Sequence, residues 1–139
     1  MRARGSWHKT PRVYADFIVD GRPLSDVVRH KADLISSLGW GSEATQRLVV
    51  EHLLLRANGD LPSGRHALFI CPECGDLSCG AVGAVIERVG DRVTWRDFAY
   101  ENDREPPSHA LLDSLGPYTF SWSDYEAAIM SGVGIGGFE

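Results

Sequence analysis

The chain has 139 residues, of which 43% are hydrophobic and 24% are charged, and its formal net charge is -5. This length and composition predict one globular domain with its own hydrophobic core. They exclude a transmembrane helix, because no run approaches the roughly 20 apolar residues that cross a bilayer. We also expect no secretory signal, because no apolar segment follows the basic residues at the N-terminus.

Charge is distributed unevenly along the chain. The first twelve residues include four basic ones, whereas the segment from Asp97 to Glu139 has eight acidic residues and a single basic one, Arg104. Such an acidic segment would attract a basic partner and repel nucleic acid. A solvated face that only keeps the protein in solution is the alternative interpretation of the same charges.

The N-terminal part predicts an arm, a strand and a helix. Residues 1–12 show no periodicity, which predicts a flexible basic arm. Residues 13–19 alternate between apolar and polar side chains, as in a strand, and Asp20-Gly21 is typical of a turn. Apolar residues then recur at spacings of three and four, which predicts an amphipathic helix over residues 24–38.

A second helix is predicted over residues 43–56. Ser42 is a favourable N-cap residue for it. The predicted apolar face consists of Ala44, Leu48, His52 and Leu55. The run that begins at Leu48 is also compatible with a strand, because a short apolar run does not define its period.

The pattern then becomes extended and predicts three strands, at residues 67–71, 81–89 and 92–100. Gly90-Asp91 predicts a tight hairpin between the last two. Phe98 falls out of step with Trp95, which predicts a bulge near Asp97.

The C-terminal part predicts a surface loop over residues 101–116, a short strand at 118–120 and a final helix over 124–130. The spacing of Ser123 and Glu126 is that of a capping box. A flexible glycine-rich tail is predicted for residues 132–139.

Together these elements predict an α+β fold. We expect an antiparallel sheet of four to five strands with helices mainly on one face and a cysteine-bearing hairpin. All of this belongs to a single domain over residues 13–131.

Cys71, Cys74 and Cys79 lie in one short segment between two predicted strands. A C-x-x-C pair and a third nearby thiolate are typical of a structural zinc site. The fourth ligand would be His66, or alternatively His109, with Glu73 and Asp76 as further candidates. Three packed cysteines without a metal, or a disulfide between two of them, are also compatible with the pattern. Because the number of cysteines is odd, we expect a cytoplasmic protein.

The sequence predicts no catalytic residues. A thioredoxin-like C-x-x-C begins a helix, whereas glycines and an extended run follow Cys74. A zinc deaminase needs an H-x-E motif, which the chain lacks. The five histidines are dispersed, and we expect His52 to be a packed or boundary residue.

Three segments resemble a family of small, uncharacterised proteins from GC-rich bacteria. The resemblance spans roughly residues 65–130 and consists of a CPECG-x4-C-type hairpin, a V-T-W-x-D-F strand and an L-G-P-(Y/F)-x-F motif before a terminal helix. These motifs are Leu68-Phe-Ile-Cys-Pro-Glu-Cys-Gly-Asp-Leu-Ser-Cys-Gly80, Val93-Thr-Trp-Arg-Asp-Phe98 and Leu115-Gly-Pro-Tyr-Thr-Phe-Ser-Trp-Ser-Asp-Tyr-Glu-Ala-Ala128. Some members carry the label oxidoreductase, but no nucleotide-binding motif is present here.

The sequence is best interpreted as that of a small non-enzymatic binding protein, an immunity-type inhibitor of a toxin or other basic enzyme. Its partner-binding residues would be Glu101, Asp103, Glu105 and Asp113. A zinc-ribbon-like nucleic-acid-binding protein that uses Arg92, Arg96 and the basic arm is the first alternative. A thiol oxidoreductase that uses Cys71 and Cys74 is the second.

Overall fold

The computed structural model describes residues 2–7, 13–28, 34–39, 41–71 and 77–133. The strands within these residues are β1 (Arg2–Trp7), β2 (Val13–Val19), β3 (Arg22–Pro23), β4 (Ile35–Ser36), β5 (His66–Ile70), β6 (Ala81–Val89), β7 (Arg92–Glu101) and β8 (Tyr118–Ser121). The helices are α1 (Ser25–Val28), α2 (Glu43–Leu53) and α3 (Trp122–Ser131), with 3₁₀ turns at Ser37–Gly39 and Leu77–Cys79.

The described strands form two antiparallel sheets, one in the order β1-β2-β3 and one in the order β4-β5-β6-β7-β8. Buried residues of α1, α2 and α3 join one core with residues of the larger sheet. The predicted α+β class with a five-stranded antiparallel sheet is therefore confirmed. The loop that would complete the cysteine-bearing hairpin includes residues 72–76, which lie outside the described residues.

The N-terminus differs from the predicted arm. Residues 2–7 form β1, in which Arg2 pairs with Ile18 and Trp7 with Val13 of β2. Because the bonds between strands join main-chain groups, a strand can add to the edge of a sheet without alternating side chains. Residues 1 and 8–12 of the predicted arm lie outside the described residues.

The predicted helix over residues 24–38 is wrong. Only α1 is α-helical in the described part of this range, and Ile35 belongs to β4, where it pairs with Ile70 of β5. All the apolar residues that suggested a helical face are buried, namely Leu24, Val27, Val28, Leu34, Ile35 and Leu38. They reach the core from α1, β4 and the adjoining 3₁₀ turn. The spacing of these apolar residues therefore identified buried positions, but these positions do not belong to one continuous helix.

The second predicted helix is confirmed as α2. The Ser42 side chain accepts a hydrogen bond from the Thr45 amide at 3.2 Å, which caps the helix. The predicted apolar face is wrong, because the buried residues are Gln46, Val50 and Leu53, whereas Leu48 is 66% exposed. Apolar residues occupy more than one side of α2, so the spacing of apolar residues in the sequence could not identify which side is buried.

The predicted β6–β7 hairpin and the bulge near Asp97 are both confirmed. Gly83 pairs with Ala99 but Val85 pairs with Arg96, so one additional residue is accommodated in β7. Asp97 adopts a positive φ of 57° at this point. The bulge turns both Trp95 and Phe98 into the core.

The final helix begins earlier than predicted. The N-cap of α3 is Ser121, and its side chain makes no capping hydrogen bond. The first amide, that of Trp122, instead donates to the carbonyl oxygen of Asp91 at 2.7 Å. The predicted capping box at Ser123 is therefore wrong. Ser123 lies inside α3, and the turn between β6 and β7 supplies the acceptor for the first amide of the helix. Of the predicted flexible tail, residues 134–139 lie outside the described residues.

Trp95 is at the centre of the core. Phe17 of β2 meets Trp95 edge to face, with ring centroids 5.3 Å apart, and so joins the two sheets. The indole nitrogen of Trp95 donates to the hydroxyl of Tyr125 at 3.2 Å, and that hydroxyl donates to the carbonyl oxygen of Leu53 at 2.6 Å. This chain of contacts holds the end of α2 against α3 and β7.

Among the described helices, none has the length and apolar character needed to cross a bilayer.

Candidate metal centre

Three potential metal ligands meet where α2, the following loop and β5 come together. His52 lies in the last turn of α2, Asp60 in the loop and His66 at the start of β5. One ligand atom from each side chain lies within 4.8 Å of the other two. Imidazole nitrogen and carboxylate oxygen are typical ligands of zinc and other first-row transition metals.

His66 is the buried member of this group. Its side chain belongs to a residue that is 5% exposed, and its Nδ1 atom is buried without a hydrogen-bond partner among the described residues. Burial lowers the pKa of His66 below its ordinary value, and nearby His52 acts in the same direction, although Asp60 opposes it. The ring is therefore neutral near pH 7 and keeps one nitrogen lone pair.

His52 is held in a defined tautomer. Its Nδ1 atom lies 2.9 Å from the carbonyl oxygen of Asn58. A carbonyl oxygen only accepts, so Nδ1 carries a hydrogen, and Nε2 is the ring nitrogen left for a metal ion. A backbone carbonyl that orients the second ring nitrogen is the usual support of a metal-binding histidine.

Asp60 is oriented by the strand that carries His66. Its Oδ1 atom accepts a hydrogen bond from the amide of Ala67 at 2.8 Å. The carboxylate is thus fixed relative to His66, the neighbour of Ala67 in sequence. This hydrogen bond positions the carboxylate as outer partners do in known metal sites.

The loop that carries Asp60 closes tightly just before the strand. A Cβ atom at Gly59 would overlap the carbonyl oxygen of Gly64. The amide of Leu61 donates to the carbonyl oxygen of Arg65 at 3.1 Å, which closes the same loop. Gly59 therefore permits the close backbone approach that brings the end of α2 back to β5.

A surface cavity of about 220 Å³ opens beside this site. His52 and Asp60 both line it, and its other walls are mainly aliphatic. Leu48 and Val49 of α2 form one side, and Ile70 and Leu77 form another. Two of the three candidate ligands are therefore accessible from the cavity, whereas His66 lies buried beside them.

The cysteine site predicted from the sequence does not include His66. His66 begins β5 and Cys71 follows its last residue, so the two are about 16 Å apart along an extended strand. One ion bound at about 2 Å from each ligand cannot bridge this distance. Cys71 is half-buried and Cys79 is exposed, while Cys74 lies outside the described residues, so zinc binding by the cysteines stays a prediction.

His109, the alternative fourth ligand, contacts other groups. Its Nε2 atom lies 2.8 Å from Oδ1 of Asp97 at the bulge of β7. The other carboxylate oxygen of Asp97 accepts from the guanidinium of Arg65 at 2.8 Å. His109 therefore belongs to a cluster with Asp97 and Arg65.

The predicted role of Glu101 in binding a partner is wrong. Glu101 is 5% exposed, and its Oε2 atom accepts from Arg65 at 3.3 Å and from the hydroxyl of Ser63 at 2.6 Å. The negative charge of Glu101 is therefore paired with Arg65 inside the protein. Asp103, Glu105 and Asp113 are exposed, as an acidic binding surface requires.

The basic residues proposed for nucleic acid are on the solvent side of β7. Arg92 and Arg96 are both exposed. Arg96 donates to Glu87 of β6 at 3.0 Å, so the charge of Arg96 is balanced by a neighbouring strand. This arrangement reduces the positive potential that phosphate binding requires.

The Asp97–His109 pair predicts an acid dependence of stability. The hydrogen bond from His109 and the charge of Arg65 lower the pKa of Asp97, with burial opposing them. A carboxyl group whose pKa is lower in the folded state stabilises the fold above its unfolded pKa, and this contribution is lost as pH falls through the folded pKa. Urea unfolding measured between about pH 5 and pH 3 should therefore show a steeper loss of stability in the wild type than in Asp97→Asn.

Asp113→Asn is the matched control for this measurement, because Asp113 is exposed. It should lose stability with the same pH profile as the wild type. If Asp97→Asn also followed the wild-type profile, the Asp97–His109 pair would contribute nothing to the acid response.

Sequence reasoning missed the group of His52, Asp60 and His66. It treated the histidines as dispersed, whereas the rings of His52 and His66 have centroids only 6.1 Å apart. The available signal was the tight loop between α2 and β5, whose closure at Gly59 brings residues 52 and 66 together.

Comparison with known protein families, with curated proteins and with solved structures finds no match for this chain.

Proposed function

We propose that this protein is a zinc-binding protein whose ion is held by His52, Asp60 and His66. The observation that supports this proposal most strongly is the buried Nδ1 atom of His66, which has no hydrogen-bond partner among the described residues. An unpaired buried polar atom costs free energy, and a bound cation beside Asp60 would remove that cost.

The spacing of the ligand atoms is compatible with a site that contracts on binding. Ligand atoms around a tetrahedral zinc ion are about 3.4 Å apart, and the three atoms here lie within 4.8 Å of one another. Small shifts of the His52 and Asp60 side chains that keep their hydrogen bonds to Asn58 and Ala67 would close this difference. Two histidines and one carboxylate form a ligand set that zinc uses in proteins.

Calorimetric titration of the chelator-treated protein with zinc tests this proposal. We expect a binding event that is lost in His52→Ala and retained when Cys71, Cys74 and Cys79 are all replaced by serine. Saturation at a hundred times the dissociation constant should raise the free energy of unfolding by about 2.7 kcal/mol. Binding that depends on the cysteines and not on His52 would contradict the proposal and support a zinc site in the cysteine segment.

We propose, as a second candidate function, an immunity-type inhibitor that binds a basic protein through its acidic loop. The supporting observation is that Asp103 and Glu105 are exposed on an ordered loop. The Asn102 side chain accepts from the amides of Arg104 and Glu105, both at 2.9 Å. The loop is also closed by a backbone pairing of Tyr100 with Ser108, so its charges are held in place before any partner binds.

Charge reversal tests the second candidate. The variant Asp103→Lys/Glu105→Lys should slow association with a basic partner captured from the host lysate by roughly tenfold at low salt. The difference should vanish at high salt, because screening shortens the range of the interaction. Asp124→Lys, an exposed change on α3, should have less effect. Equal rates for all three proteins, or capture of nucleic acid alone, would contradict this candidate.

A further inference from the structure

We infer that the ion at His52, Asp60 and His66 keeps a coordination position open to the adjoining cavity, and that this position takes a short aliphatic carboxylate. This inference rests on the proposed zinc-binding function. The carboxylate head would bind the ion, and the hydrocarbon tail would lie in the cavity.

The protein supplies three ligand atoms within the described residues. Structural zinc sites have four protein ligands, whereas sites with three leave a position for water or an exogenous ligand. His52 and Asp60 both line the cavity, so a position directed away from buried His66 faces that space. An anion there would balance the single positive charge left by a divalent ion and the carboxylate of Asp60.

The walls of the cavity match a hydrocarbon tail. Leu48, Val49, Ile70 and Leu77 contribute aliphatic surface. The hydroxyl of Ser37, which also lines the cavity, already donates to the carbonyl oxygen of Ala67 at 3.0 Å. A ligand in this space therefore meets mainly apolar surface beyond the ion.

The volume limits the length of the tail. A cavity of about 220 Å³ corresponds to about seven water volumes of 30 Å³ each, and hence to a ligand of about seven non-hydrogen atoms. Pentanoate has this size. A second cavity of about 230 Å³ shares Asp60 and Leu77, but it is also lined by Glu101 and Asp103. The exposed carboxylate of Asp103 would repel an anionic ligand, so the cavity beside His52 is the one we assign.

Cobalt-substituted protein separates this inference from the proposed function on which it rests. Cobalt(II) is added first, and its visible spectrum reports occupancy of the site by His52, Asp60 and His66. Pentanoate is added next, and we expect a saturable change in the same spectrum. Each methylene from acetate to pentanoate should improve affinity by up to about fourfold, and the further methylenes of decanoate, which extend beyond the cavity, should add little.

Two variants of exposed residues test the role of the cavity wall. Leu48 is 66% exposed and lines the cavity, so Leu48→Ser should weaken pentanoate binding several-fold while cobalt binding and acetate binding are unchanged. Val89 is 76% exposed on β6 and does not line the cavity, so Val89→Ser should behave like the wild type.

The outcomes are distinguishable. Cobalt binding without a response to pentanoate, or with equal affinity for acetate and pentanoate, would overturn this inference and leave the zinc-binding proposal standing. Absence of binding by both zinc and cobalt(II) would overturn both proposals.

Discussion

Replacing Arg65 by leucine is expected to lower the free energy of unfolding by about 3–5 kcal/mol. The side chain of Arg65 is only 9% exposed, and its guanidinium contacts Asp97 at 2.8 Å and Glu101 at 3.3 Å. Its Nε atom also donates to the carbonyl oxygen of Asp97 at 2.8 Å. The substitution leaves the buried carboxylate of Glu101 without its cation, and urea denaturation of Arg65→Leu measures the loss.

A second substitution separates the ion pair from simple packing. Replacing both partners, as in Arg65→Leu/Glu101→Leu, removes the uncompensated charge, so the double variant should be more stable than Arg65→Leu alone. Arg104→Leu is the matched control, because Arg104 and Asp103 are both exposed and 4.0 Å apart. That control should change stability by less than about 0.5 kcal/mol. A loss in Arg104→Leu as large as that in Arg65→Leu would contradict this account.

The same ion pair explains why the sequence misassigned Glu101. The sequence of an acidic segment does not distinguish a buried carboxylate from an exposed one. Arg65, the ion-pair partner of Glu101, is 36 positions away in the chain. Only the pairing of β5 with β6 and of β6 with β7 brings Arg65 to β7. Burial of a charge is a property of tertiary structure, so composition could not have separated Glu101 from exposed Asp103 and Glu105.

Local signals predicted the elements that depend on local interactions. Alternation and turn residues located β6 and β7, and the phase difference between Trp95 and Phe98 located the bulge. Ser42 located the start of α2 because its side chain bonds within the first helical turn. β1 had no comparable signal, because its pairing with β2 depends on main-chain hydrogen bonds.

The candidate metal centre was hidden for a related reason. His52 and His66 are fourteen positions apart, so neither helical nor extended spacing relates them. They meet because the chain reverses direction between α2 and β5, where the loop closes at Gly59. Recognition of this loop from sequence would have required knowing that α2 ends at Leu53 and that β5 begins at His66.

Removing one hydroxyl group from the core is expected to have the second large effect. The Tyr125 hydroxyl lies 3.2 Å from the indole nitrogen of Trp95 and 2.6 Å from the carbonyl oxygen of Leu53. In Tyr125→Phe both groups lose this hydrogen-bond partner. Burial raises the pKa of Tyr125 above its ordinary value, so the hydroxyl is protonated and can donate to Leu53. Leaving two buried polar groups unpaired should cost about 2–4 kcal/mol in urea denaturation.

Tyr125→Phe should also affect the proposed metal centre, because Leu53 directly follows His52 in α2. Release of the Leu53 carbonyl loosens the last turn of α2, which should weaken zinc affinity several-fold without removing any ligand. Tyr118→Phe is the control, since Tyr118 is only half-buried and packs on Phe98 through its ring. It should alter stability by less than about 0.5 kcal/mol and leave zinc affinity unchanged. Loss of stability in Tyr125→Phe with unaltered zinc affinity would show that α3 supports the core without positioning His52.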